Sequence, residues 1–187
     1  MKAAIVLLSD AAVHNFARRA AVELNLRRQV GFYAALLPAH VSLKQPFTFD
    51  SLDRLDEYAA GLARRTAPFE IRLDRFYTAE WSGYGILGLN VVETPRLRTL
   101  HEQVNQELAE RFSDTAAAHD GAGYHFHLTI EMGRVNGINP FHEAFERLPD
   151  PRVDLAFTAR ELAVFFYASA DITAGSFITY EILPLQG

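Results

Sequence analysis

The sequence predicts an α+β fold in which two similar lobes surround a cleft. Apolar runs with the length of a strand alternate with segments that have helical periodicity. The same order of segments occurs twice, once over Lys2–Tyr77 and again over Gly85–Tyr167. We therefore expect a single domain over residues 1–187, built from two pseudo-symmetric lobes of about 1–80 and 81–187. An exchange of terminal strands between the lobes is left open.

The first part of the chain contains five predicted elements. Val13, Phe16 and Ala20 recur at helical spacing, whereas Phe69–Tyr77 alternates apolar and polar residues as a half-buried strand does. Pro46 marks an edge or a bend in its strand. In chain order the elements are a strand over Lys2–Ser9, a helix from Asp10 to about Arg28, a strand over His40–Phe49, a helix over Leu52–Arg65 and a strand over Phe69–Tyr77.

The second part of the chain repeats this order with nearly the same spacing. Gly88 lies 39 positions before His127, and Lys2 lies 38 positions before His40. The predicted elements are a strand over Gly85–Val92, a helix from about Pro95 to Phe112, a loop over Ser113–Gly123, a strand over His125–Met132, a short helix over Pro140–Arg147, and two or three strands after Val153 that include Glu161–Tyr167 and Phe177–Leu183.

Composition limits the classes of protein to which the chain could belong. Hydrophobic residues make up 49% of the 187 positions, so a sizeable core can form. The absence of Cys excludes disulfides, a thiolate nucleophile and cysteine-ligated zinc, and it agrees with a cytoplasmic location. No segment has the length of a membrane span, so no membrane partner is expected. A net charge of −5 argues against a long nucleic acid as the ligand.

A short pattern of four residues occurs at two places in the chain. His40-Val41-Ser42-Leu43 and His127-Leu128-Thr129-Ile130 both consist of a His, an apolar residue, a hydroxyl residue and a second apolar residue. Because alternate side chains of a strand point to opposite faces, each His would share one face with its hydroxyl neighbour, and the apolar residues would face the core. In a duplicated fold the two strands would meet across the cleft and form one site.

Two imidazoles and two hydroxyls on rigid strands suit phosphoryl transfer without a metal. An imidazole with an ordinary pKa of about 6.5 can accept or donate a proton at neutral pH, so His40 and His127 are the predicted catalytic residues. The hydroxyls of Ser42 and Thr129 are predicted to hold the non-bridging phosphate oxygens of the substrate. If its strand is regular, Lys44 shares the face of Ser42 and adds a positive charge for substrate binding.

The paired motifs, 87 positions apart, resemble those of the 2H phosphoesterase superfamily, which includes 2′-5′ RNA ligase-like proteins and cyclic phosphodiesterases. The resemblance extends from Lys2 to Leu185, and Pro38–Phe47 is particularly similar to the first motif of small bacterial members. Ser42 stands where Thr is commoner in the family, but either residue carries the hydroxyl.

The resemblance implies a bilobal fold with two antiparallel sheets that face a central cleft and with helices on the outside. It implies that His40 with Ser42, and His127 with Thr129, catalyse the reaction without a metal or an organic cofactor. The implied reaction opens a 2′,3′-cyclic phosphate, on an RNA end or a small nucleotide, to a 2′-phosphate. In reverse it joins RNA ends through a 2′-5′ bond. A monomer is the expected oligomeric state.

Two other functions stay open. His125 and His127 have the spacing of two ligands on one strand face, which suits a metal-dependent hydrolase. The third ligand would come from His119, His142 or Glu131. The second alternative is a module that binds RNA ends or nucleotides without turnover. Because the two motifs are alike, the sequence does not assign the roles of base and acid.

Overall fold

The computed structural model describes residues 1–81, 83–113, 115–117, 120–134, 139–146, 150–168 and 176–187. Within these residues the chain forms eight strands and four α-helices, which confirms the predicted α+β class. The strands are β1 (Lys2–Leu8), β2 (His40–Thr48), β3 (Phe69–Trp81), β4 (Tyr84–Val91), β5 (His127–Arg134), β6 (Arg152–Ala159), β7 (Glu161–Tyr167) and β8 (Phe177–Pro184). The helices are α1 (Ala11–Arg28), α2 (Leu52–Arg65), α3 (Pro95–Arg111) and α4 (Pro140–Glu146), and a 3₁₀ helix covers Ala34–Leu36.

Most of the predicted elements end within a few residues of the observed ones. The bounds of α2 and β7 coincide with the prediction. β3 continues beyond the predicted end at Tyr77 as far as Trp81, because it pairs with β4 along this length. β5 begins at His127 rather than at His125. The predicted end of the fourth helix, Arg147, lies outside the described residues.

Local sequence signals account for the starts of the helices. The carboxylate of Asp10 accepts a hydrogen bond from the backbone N–H of Val13 at 2.9 Å, which caps α1. The hydroxyl of Thr94 accepts one from Leu97 N–H at 3.2 Å, and Pro95 occupies the first turn of α3. These side chains satisfy backbone donors that have no partner within the helix.

The strands form one antiparallel sheet in the order β6-β3-β4-β5-β2-β1-β7-β8. The structure therefore shows two four-stranded halves of a single sheet, and not the two separate sheets that the resemblance implied. β2 and β5, the inner strands of the halves, meet at one residue pair, Val41 and Leu128. Separate sheets would leave two further strand edges with unpaired backbone groups, whereas this contact brings the edges together.

Each half of the sheet combines strands from both parts of the chain. β1 pairs with β2 and β7, and β7 pairs with β8, while β3 pairs with β4 and β6. The helices likewise pack on strands from the other part of the chain. α1 contacts β5 and β6, α2 contacts β7 and β8, and α3 contacts β2. The division of the chain into lobes near residue 80 stays a prediction.

The main hydrophobic core lies between the helices and one face of the sheet. It contains side chains from all four helices together with strand residues such as Leu7 and Ile130. The opposite face of the sheet, which we call the open face, has a smaller apolar cluster that includes Val6 and Phe165. Among the described helices, none combines the length and the apolar character that crossing a membrane requires.

Candidate active site

The two His motifs meet at the centre of the sheet. The antiparallel pairing of Val41 with Leu128 places His40 opposite Thr129 and Ser42 opposite His127. Val41 and Leu128 are fully buried in the main core, so the residues on either side of each of them project from the open face. In such a pair the Cβ atoms of directly opposite residues, such as His40 and Thr129, are about 4.5–5.5 Å apart. Residues that are diagonal to each other, such as His40 and His127, are about 7–8 Å apart. The four predicted site residues thus form one compact group.

A backbone carbonyl holds each imidazole. His40 Nδ1 lies 2.7 Å from the carbonyl oxygen of Pro38, and His127 Nδ1 lies 2.9 Å from that of His125. Because a carbonyl oxygen can only accept, each Nδ1 carries the proton and donates it. The lone pair of each neutral ring is therefore on Nε2. Both imidazoles can therefore accept a proton at Nε2.

The surroundings favour the neutral form of both rings. Burial is the largest cause that lowers the pKa of His40 to about 4. The hydrogen bond to the carbonyl of Pro38 raises this pKa, whereas positive charge on His127 and Arg18 lowers it. The rings of His40 and Phe165 also pack against each other in a T-shaped arrangement, with centroids 4.7 Å apart. Burial lowers the pKa of His127 too, although its bond to the carbonyl of His125 opposes this shift. Both imidazoles are thus uncharged at neutral pH in the free protein.

Tyr124 lies beside the Ser42 hydroxyl. The hydroxyl of Tyr124 accepts a hydrogen bond from Gln45 Nε2 at 2.9 Å. The ring of Tyr124 stacks on the buried His101, with centroids 4.5 Å apart. On the open face, the hydroxyl of Ser42 can serve as a ligand for a phosphate oxygen. Thr129 is half-buried opposite His40 and pairs with Gly88 of β4.

Lys44 does not join this group, so the expectation that it shares the face of Ser42 is wrong. The partners of β2 on β1 shift by one residue, from Val6 opposite Ser42 to Ile5 opposite Lys44. This β-bulge turns Lys44 to the helix side of the sheet. There it is 2% exposed, donates to Asn105 Oδ1 at 2.8 Å and forms an ion pair with Asp120.

The described residues do not complete a metal site around His125 and His127. The two rings are nearly parallel, with centroids 6.2 Å apart. Glu131 faces the helices and accepts the N–H of Ala34, and His142 is hydrogen-bonded to Thr78. No group of three His, Asp or Glu side chains suited to a metal occurs in the described part of the chain. His119, the remaining candidate for the third ligand, lies outside the described residues.

Sequence reasoning missed one aromatic residue of the site. The ring of Tyr77 makes T-shaped contacts with both His125 and His127, with centroid distances of 5.2 and 5.5 Å. It covers Gly88 on the adjacent strand, where a Cβ atom would lie 2.5 Å from Tyr77 Cε1 and 2.9 Å from the carbonyl oxygen of Leu128. A glycine inside a strand indicates such a close approach, so Gly88 was the signal available in the sequence.

We expect Gly88→Ala to destabilise the protein by about 1–3 kcal/mol and to lower its activity, because the methyl group must displace the Tyr77 ring or separate β4 from β5. Urea unfolding measures the first effect. Gly61→Ala in α2 is the matched control, since the nearest atom to its Cβ is 3.5 Å away and alanine is favoured in a helix. Equal stability of the two variants would contradict this account of Gly88.

Comparisons with known proteins concern the family and the fold of the chain. The sequence model of the 2′-5′ RNA ligase superfamily matches residues 11–171 of the chain. A protein of Geobacillus thermodenitrificans named "Putative phosphoesterase" is 28% identical over 110 residues, which cover 58% of this chain and 60% of that protein. The chain thus matches about three fifths of the length of this relative.

Several solved structures share the fold along almost their entire length. TT0787 of Thermus thermophilus has a TM-score of 0.65 at 16% identity, and the match covers 100% of this chain and 99% of that one. E. coli LigT in complex with 3′-AMP has a TM-score of 0.58 at 13% identity, covering 100% and 98%. Kluyveromyces marxianus Usb1 with uridine monophosphate has a TM-score of 0.52 at 16% identity, covering 98% of both chains. At these identities the likeness concerns the fold alone.

Proposed function

The chain belongs to the 2′-5′ RNA ligase superfamily, and we propose that it is a phosphodiesterase that opens 2′,3′-cyclic phosphates to 2′-phosphates by general acid–base catalysis with two histidines. The observation that carries the proposal is the pairing of Val41 with Leu128. It supports a single site in which each imidazole lies opposite a hydroxyl. The free Nε2 atoms and the paired hydroxyls match what this reaction requires.

The reaction needs one neutral and one protonated imidazole. The Nε2 atom of the neutral ring takes a proton from water as the water oxygen forms a bond to phosphorus. The bond between phosphorus and the 3′ oxygen breaks, and the second ring, which is protonated, gives its proton to that leaving oxygen. The product carries a 2′-phosphate and a 3′-hydroxyl. Because both His40 and His127 donate from Nδ1 to a backbone carbonyl, the proposal leaves their two roles interchangeable.

The hydroxyls of Ser42 and Thr129 are suited to stabilise the charge that develops on the phosphoryl oxygens. Each projects from the open face beside an imidazole, and a preoriented donor of this kind acts without reorganisation during the reaction. The same groups serve the reverse direction, in which a 5′-hydroxyl replaces water and a 2′-5′ bond forms. No step of this scheme uses a metal or an organic cofactor.

We propose RNA ends or small nucleotides with a cyclic phosphate as the substrates. Structures of LigT with 3′-AMP and of Usb1 with uridine monophosphate, which share this fold, support a nucleotide as the ligand. The net charge of −5 favours a small substrate over a long nucleic acid, which is bound through many phosphate contacts.

The test is an assay of chelator-treated protein with 2′,3′-cyclic nucleotides and with a short RNA that ends in a 2′,3′-cyclic phosphate. We expect turnover to a 2′-phosphate, which chromatography separates from the 3′-phosphate. Activity only after zinc is restored would favour the metal-dependent alternative. Binding of the nucleotide without turnover of any of these substrates would favour a binding module.

A further inference from the structure

A buried charged residue occupies the same position after each motif. Lys44 follows His40 by four positions, and Glu131 follows His127 by four. Both strands have a register shift at this point: Ser42 and Lys44 are opposite consecutive residues of β1, and Thr129 and Glu131 are opposite consecutive residues of β4. The extra residue in each strand is a β-bulge that turns the charged side chain toward the helices. Lys44 is 2% exposed and Glu131 is fully buried.

Each of these charged residues contacts the segment that leads into the other motif strand. We call residues 29–39 the β2 lead-in and residues 120–126 the β5 lead-in. Lys44, on β2, forms its ion pair with Asp120 of the β5 lead-in. Glu131, on β5, accepts the backbone N–H of Ala34 in the β2 lead-in at 2.8 Å. The connections therefore cross from one motif to the other.

The lead-ins carry the carbonyl groups that hold the two imidazoles. Pro38 of the β2 lead-in accepts from His40, and His125 of the β5 lead-in accepts from His127. An arginine reinforces each segment three residues before the histidine. Arg18 donates to the carbonyl of Leu37, and Arg98 donates to that of Tyr124 at 2.8 Å. A displacement of a lead-in therefore moves the carbonyl that determines the tautomer of the ring.

We propose that Lys44 and Glu131 are positioning residues that act crosswise: Lys44, on the strand of His40, positions His127, and Glu131, on the strand of His127, positions His40. Neither side chain reaches the open face, so each acts through a lead-in. The catalytic part of this inference depends on the proposed function. The positioning itself concerns ring states that can be observed without a substrate.

The test is NMR of the imidazole nitrogens in Lys44→Met and Glu131→Met, with the signals assigned from His40→Gln and His127→Gln. We expect Lys44→Met to change the tautomer or pKa of His127 and to leave His40 as in the wild type. Glu131→Met is expected to do the reverse. Glu131→Gln keeps an oxygen acceptor for the Ala34 N–H and should restore the wild-type signals of His40.

Steady-state kinetics provide the second measurement. We expect kcat of Lys44→Met and of Glu131→Met to fall about 10- to 100-fold, with a KM within twofold of the wild type. If Lys44→Met does not fold, Asp120→Ala replaces it, because this variant also removes the ion pair between Lys44 and Asp120. It too is expected to change the tautomer or pKa of His127 and to leave His40 as in the wild type. A change confined to the histidine on the substituted strand, or no change in either ring, would overturn the proposal. Crosswise NMR changes in a protein without turnover would retain the positioning and reject the proposed function.

Discussion

Replacing either His40 or His127 by alanine is expected to lower kcat for 2′,3′-cyclic phosphate hydrolysis by about 10²- to 10⁴-fold. The free Nε2 atoms of the two rings lie on one face of neighbouring strands, and each proton transfer contributes an effect of this size. Ser42→Ala and Thr129→Ala are expected to cost less, because each removes one donor to the phosphate and leaves both proton transfers in place. Steady-state kinetics with a cyclic nucleotide measure all four variants.

Two further histidines provide matched controls for this result. The ring of His142 is hydrogen-bonded to Thr78, so His142→Ala should retain wild-type kcat. In His125→Ala the backbone carbonyl that holds His127 stays in place, and we expect a much smaller loss than in His127→Ala. A metal bound by His125 and His127 would instead require equal losses. Wild-type turnover in either His40→Ala or His127→Ala would refute the two-histidine mechanism.

We expect kcat/KM to be highest in acid, between about pH 4 and 6.5, and to fall about tenfold per pH unit above this range. Burial lowers the pKa of both His40 and His127, the former to about 4. A lowered pKa means that the ring loses its proton at a lower pH. The reactive state with one neutral and one protonated ring is therefore most populated below the ordinary histidine pKa. Acidification past the lower pKa protonates both rings.

The measurement is kcat/KM from pH 4 to 9 at constant ionic strength, since this ratio reports the free enzyme. The profile of kcat should lie at higher pH than that of kcat/KM, because the negative phosphate of the bound substrate stabilises an imidazolium. A kcat/KM that stays constant from pH 6.5 to 9 would contradict the lowered pKa values. The double variant His40→Ala/His127→Ala corrects for any uncatalysed hydrolysis across this range.

The order of the elements could be predicted from the sequence because it depends on local patterns. Helical periodicity and capping residues lie within a few positions of one another, and α2 was predicted with its observed bounds. The alternation of side chains along a strand likewise predicted that His40 and Ser42 share a face, as do His127 and Thr129. The match of residues 11–171 to the 2′-5′ RNA ligase superfamily confirms the resemblance that these motifs indicated.

The tertiary structure alone decided how these elements combine. That β2 and β5 join two halves into one sheet depends on hydrogen bonds between residues 87 positions apart in the sequence. The bulges that turn Lys44 and Glu131 away from the open face come from the register with β1 and β4, which no local pattern encodes. The sequence determined which side chains could perform proton transfer. Their neutral charge state and the orientation of their rings were decided by burial and by backbone carbonyls, because desolvation and hydrogen bonding depend on the folded surroundings.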